Sequence, residues 1–195
     1  MLSTACKNIM LDAFGVTHLS LHSAYSTTGT NELSGGSPAY ARKAATFSAA
    51  SAESKSLSTA VTFDVAASAT AKYVGKWTAI TGGTFLGMSA LGGTEKEFYA
   101  DLTADKILSA AHGLSTNDLI VFIGGTPPGG LTEGTEYYVI AATTDDFQVS
   151  ATQGGGAINL TSQAAGKCVV SKIIPETYGS QGTLQVSSLT VNLTA

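Results

Sequence analysis

The spacing of apolar positions changes once, early in the chain. Leu2, Cys6, Ile9, Met10 and Ala13 recur three and four residues apart, which predicts a helix over residues 3–14 with one apolar stripe. Ser3 stands where an N-cap belongs and Gly15 where a C-terminal glycine cap belongs. Such a stripe is expected to be buried against a sheet or a neighbouring subunit, which makes Ile9 and Met10 candidate contact residues. From Val16 the period is two. In Thr17-His18-Leu19-Ser20-Leu21-His22 the leucines fall on one side and the histidines on the other. Strand-like runs follow at 40–48, 61–65, 71–80 and 84–91, parted by turn clusters such as Thr81-Gly82-Gly83 and Gly92-Gly93-Thr94. The pattern is that of a mainly β protein, an antiparallel β-sandwich with one short N-terminal helix.

Beyond Phe98 the chain reads as a self-sufficient block. Runs at 99–109, 119–122, 136–142, 146–150, 157–160 and 167–172 are separated by Pro127-Pro128-Gly129-Gly130 and Gly154-Gly155-Gly156. Short strands at this density suit a small immunoglobulin-like β domain. The tail alternates again through Leu184, Val186, Leu189, Val191 and Leu193, with a one-residue register break at Ser187-Ser188 that implies a bulge or a tight turn. The expected organisation is an outer domain, residues 1–98 plus 174–195, interrupted by an inserted domain, residues 99–173. Insertion at a hairpin tip is cheap because the entropy of loop closure grows slowly with length.

Composition narrows the function. Only 12% of the 195 residues are charged, and Ala, Gly, Ser and Thr make up about half of them. Ten Lys and Arg against 14 Asp and Glu give a net charge of −4, and no basic run exists, so nucleic acid is not an expected partner. No signal peptide and no membrane-spanning run is visible. Cys6 and Cys168 sit among apolar neighbours and are expected to be reduced rather than bridged.

Catalytic patterns are missing. His18 and His22 would lie roughly 13 Å apart along a strand, too far to share a metal ion, and are expected on a solvated or inter-subunit face. His112 reads as a turn residue capping a backbone group. There is no G-x-S-x-G elbow, Walker loop or dinucleotide fingerprint. The carboxylate pairs Glu95/Glu97, Asp101/Asp105 and Asp145/Asp146 would have to face each other across a cleft for glycoside hydrolysis, which sequence spacing does not establish. Asp145-Asp146 reads first as a hairpin turn and lacks the spaced oxygen ligands of a calcium loop. Tyr40, Tyr73, Trp77 and Phe85 could form a sugar platform, but their strand alternation favours a core. No catalytic, cofactor or metal residue is assigned. The remaining candidate feature is residues 23–38, a long loop with Glu32 as its only charge. With Leu33, Tyr40, Arg42 and Lys43 it is read as an interface to another subunit or to a neighbouring protein.

The segment from Ser3 to Lys43, above all Asn31-Glu32-Leu33-Ser34-Gly35-Gly36-Ser37-Pro38-Ala39-Tyr40-Ala41-Arg42-Lys43, resembles a family of small virion proteins of tailed bacteriophages labelled tail-fibre-like or minor tail proteins. The resemblance continues through FDVAASATAKYVGKWTAITGGTFLG and resumes at TYGSQGTLQVSSLTVNLT. It implies a non-enzymatic structural component of the virion that contacts other virion proteins and forms a symmetric homo-oligomer, with a trimer expected. A capsid decoration protein and an adhesion module for a host surface glycan are the alternatives.

Overall fold

The computed structural model describes residues 2–192; Leu193, the last apolar position of the alternating tail, lies outside them. The protein is mainly β, with antiparallel ladders throughout and one helix, Thr4–Ala13. The chain divides into two compact units, residues 1–88 with 176–195, and residues 89–175.

The first unit is organised by a four-stranded sheet in the order Lys43–Ala44, His18–His22, Tyr73–Trp77, Phe85–Ala90. His18–His22 pairs along its whole length with Tyr73–Trp77, placing Leu19 opposite Lys76 and Leu21 opposite Val74. Three two-stranded ladders accompany the sheet: Val61–Val65 with Gly182–Val186, Ser54–Ser56 with Thr190–Asn192, and Thr70–Ala71 with Glu176–Thr177. The register break at Ser187-Ser188 marks where the tail leaves one ladder for another. Leu11, Leu19, Leu21, Phe63, Val65, Tyr73, Trp77 and Leu184 are buried. Tyr40 stacks on Phe63, and Phe85 packs edge-on to Trp77, so these rings serve packing.

Two local expectations are corrected here. His18–His22 is buried on both faces, with His22 and Ser20 fully enclosed, because the strand lies inside its sheet and both sides are covered. Gly15 does not take a left-handed conformation. The helix ends at Phe14, whose N–H bonds to the Met10 and Leu11 carbonyls.

In the second unit seven strands form one antiparallel sheet in the order Glu95–Lys96, Ala165–Lys172, Leu119–Thr126, Glu136–Ile140, Asp146–Ser150, Lys106–Leu108, Tyr99–Asp101. The first and last strands in this order are consecutive in sequence, with only Glu97 and Phe98 between them. A few residues of chain span at most about 10 Å, so the sheet must roll until its two edges nearly meet. It rolls around Phe98, Ile107, Ile120, Phe122, Tyr137, Val139, Phe147, Val149, Leu160 and Val170. Cross-strand partners such as Ile120 with Tyr137 and Val139 with Val149 point into this cluster together. A bulge at Ile123/Gly125 bends Leu119–Thr126, and Gly124 there has φ of +84°. Phe98, read from sequence as the end of the outer domain, is a core residue of this unit. Residues 157–160 form no strand, yet Leu160 is buried in the same core.

Candidate functional site

The helix is built as its sequence requires but docks by the unexpected face. The Ser3 side chain accepts the Cys6 N–H at its N-terminus. Thr4, Lys7, Asn8, Leu11 and Asp12 fall on one face, at i, i+3, i+4, i+7 and i+8. The turn at Ala52 and Glu53, both at positive φ, receives them. Thr4 Oγ1 donates to Glu53 Oε1 at 2.8 Å, and Lys7 Nζ pairs with Glu53 Oε2 at 2.7 Å. Asn8 Oδ1 accepts the Glu53 N–H and Asp12 Oδ1 accepts the Ala50 N–H. Lys55 Nζ donates to the Phe14 carbonyl, and burial lowers the Lys55 pKa, partly offset by Asp12. A tight turn offers orphan backbone donors and a carboxylate, which need polar partners. The polar face of the helix supplies them, around the buried Leu11.

The apolar stripe is therefore turned outward. Leu2 is 53% exposed, Ile9 70% and Met10 47%. Ile9 and Met10 are not buried against the sheet. The charged groups of the helix, Lys7 and Asp12, are both engaged with the 50–53 segment. The outward face thus offers aliphatic surface with no cation to hydrate it.

The other predicted interface residues form a network inside the first unit. Arg42 donates from Nε to Glu32 Oε1 at 3.0 Å and from Nη2 to Oε2 at 2.8 Å. Its Nη1 donates to the Gly82 carbonyl at 2.7 Å, and its guanidinium lies 3.3 Å from the centre of the Trp77 ring. Tyr40 accepts the Leu21 N–H and donates to Glu32; burial, ahead of other causes, raises its pKa. Leu33 donates its N–H to the Leu21 carbonyl, and Lys43 pairs with Asp64 at 3.1 Å. The loop itself is organised around Ser26 Oγ, which accepts the Thr28 and Thr30 N–H groups and the Thr30 hydroxyl.

One buried constellation went unseen in the sequence. The Trp77 indole N–H donates to Ser20 Oγ at 2.8 Å, and Ser20 Oγ lies 2.7 Å from His22 Nε2. His22 Nδ1 meets the Thr30 carbonyl at 2.8 Å, which places its proton on Nδ1 and makes Nε2 the acceptor. A serine beside a histidine has the outline of a nucleophile and base. Here both are fully buried, and a Cβ on the neighbouring Gly75 would collide with each, so no substrate reaches them. Burial lowers the His22 pKa.

The remaining candidates are occupied locally. His112 Nδ1 accepts the Leu114 N–H. Asp101 caps the turn at 103–104, Asp105 accepts the Leu160 N–H, and Asp145 accepts the Ala111 N–H. Among the described residues no group of three His, Cys, Asp or Glu is placed to hold a metal ion, and no helix is long and apolar enough to cross a membrane. Both cysteines are free, and burial raises the Cys168 thiol to about 11.

These features define a β-rich protein whose polar clusters hold its own loops in place. A family model described as podophage GP4 fiber I protein gp80 matches residues 1–115, more than half of the chain, and the chain belongs to that family. It is accordingly a tail-fibre-like structural component of a phage virion. No curated protein and no solved structure matches it. The family match runs through the first unit's N-terminal part and past Phe98, over the strands Glu95–Lys96, Tyr99–Asp101 and Lys106–Leu108.

Proposed function

We propose that the protein is a non-enzymatic building block of the tail-fibre apparatus that assembles with copies of itself through its N-terminal helix. The observation that carries this reading is the outward apolar stripe on a helix firmly anchored by its polar face. Leu2, Cys6, Ile9 and Ala13 are spaced four, three and four residues apart, the seam of a helix that packs on other helices. Among the described residues the only helix in the chain is this one, so the matching seam is that of a second copy. A closed ring repeats one interface, and three copies is the expected order. Residues 89–175, contiguous within the chain, act as an inserted module built on one rolled antiparallel sheet rather than the two-sheet sandwich of an immunoglobulin-like domain.

The surface of Ile9 and Met10 available for burial is worth about 3 kcal/mol together. Association costs at least 4 kcal/mol or so, so the helices contribute to a larger interface rather than forming it alone. Light scattering of the purified chain at micromolar concentration tests the proposal with Ile9→Asp and Met10→Asp. Both positions are exposed within one chain, so the circular dichroism spectrum should not change, while the oligomer should weaken and its melting temperature should lose its dependence on protein concentration. A monomeric wild type, or an oligomer unaffected by both substitutions, would refute it.

A further inference from the structure

The second unit carries a groove that has no part in the helix interface. Its volume is about 770 Å³, and Glu95, Glu97, Tyr99, Leu108, Asp145 and Asp146 line it. Glu95–Lys96 and Tyr99–Asp101 are strands joined by Glu97 and Phe98, and across them Glu95, Glu97 and Tyr99 are exposed while Phe98 and Ala100 are buried. The exposed side chains alternate with buried or half-buried ones along this stretch and line the same groove. Tyr99 is 77% exposed and sits directly across the ladder from Leu108, itself 40% exposed, so the stretch ends on an apolar step.

Charge and edge geometry narrow what this groove can hold. Four carboxylates line it against one ammonium, that of Lys96. Asp146 is paired with Lys106 at 3.0 Å, but among the described residues no cation pairs with Glu95, Glu97 or Asp145. Strand addition at Ala100 is blocked, because the Gln163 amide accepts its N–H at 3.2 Å and donates to its carbonyl at 2.6 Å. Recognition must then run through side chains. Carboxylates followed by an open tyrosine face match cationic side chains, which pair with the former and lie against the latter. A neutral saccharide would use the ring and leave the charge unmatched, and a nucleic acid would be repelled. Five of the chain's ten Lys and Arg, namely Lys7, Arg42, Lys43, Lys106 and Lys172, are ion-paired within the chain, so a second copy does not offer these five to the groove.

We propose that this groove docks an extended basic segment of another protein, with Lys or Arg at alternate positions against Glu95 and Glu97 and an adjoining side chain on Tyr99 and Leu108. Fluorescence anisotropy on the full chain tests it, with a labelled peptide Gly-Arg-Ser-Arg-Ser-Leu-Gly, its Gln-for-Arg counterpart, and maltohexaose as a competitor. The Arg peptide should bind saturably, more weakly as salt rises, and the Gln peptide should not. Tyr99→Ser and Glu97→Gln should each weaken binding about tenfold without changing melting, since both side chains are exposed. Glu176→Gln, an exposed carboxylate of the first unit, should leave binding unchanged. The proposal is overturned if the Arg peptide fails to bind, if the groove variants behave as wild type or Glu176→Gln weakens binding equally, or if maltohexaose displaces the peptide in a salt-independent manner.

Discussion

Arg42→Ala tests whether the loop residues act within the chain. The substitution removes the bidentate charge-assisted contact with Glu32, bonds to the Gly82 and Ala79 carbonyls and the guanidinium over Trp77. Charge-assisted bonds contribute about 1.5–3 kcal/mol, and a cation on an aromatic face about 1 kcal/mol more. The Arg42 and Glu32 side chains are 12% and 21% exposed, so solvent replaces only part of what is lost. The expected cost is about 3 kcal/mol, or roughly 12 °C in melting temperature for a unit of this size. Trp77 is the single tryptophan and lies beneath the guanidinium, so its fluorescence in a urea titration reports the site directly. Arg42→Lys keeps the charge without the planar fork and should fall between. A cycle with Glu32→Gln should return a coupling of about 2 kcal/mol. A loss below about 1 kcal/mol, or no coupling, would show that the pair is a weak surface contact and not an internal brace of the loop.

Glu53→Ala strips the helix of two anchors and leaves the buried Lys7 ammonium without its carboxylate; a loss of about 2–3 kcal/mol is expected in urea melts. Gly75→Ala drives a methyl into Ser20 and His22 and should cost about 2 kcal/mol or more, seen as a lower melting temperature. His22 sets a pH dependence. Its folded pKa lies below its unfolded value near 6.5, because burial outweighs the Thr30 carbonyl and Glu32, with Arg42 acting in the same direction as burial. The unfolded chain therefore binds the extra proton first, and this stability, full above about pH 6.5, is lost as pH falls toward the folded pKa. The decline in melting temperature between neutral and mildly acid pH should be smaller in His22→Gln; equal slopes would remove His22 as its source.

Legibility in the sequence followed the strength of alternation. Val61–Val65 and Asp146–Ser150 are bounded by the residues the pattern suggests, and the helix differs by one residue at each end. The direction the helix faces was hidden. An apolar stripe ordinarily docks, but the turn at 50–53 presents backbone donors that only Asn8 and Asp12 can satisfy, and nothing in Ala50-Ser51-Ala52-Glu53 announces that turn. His22 was misplaced for a related reason: alternation separates two faces but does not say whether the second is wet. The Glu32–Arg42 pair spans ten residues of loop, a separation with no periodic signature. Tyr99–Asp101 and Lys106–Leu108 read as one run because the turn between them, with Asp105 at positive φ, lacks glycine and proline.

The central claim is membership of the tail-fibre apparatus, and labelling purified virions tests it most directly. Gold-tagged antibody raised against the purified chain, with quantitative densitometry of the same particles, gives both place and copy number. Gold confined to the tail, with a copy number far below that of the major capsid protein, is the predicted result. Gold spread over the head, at a copy number approaching that of the capsid subunits, would contradict the account and assign the protein to capsid decoration.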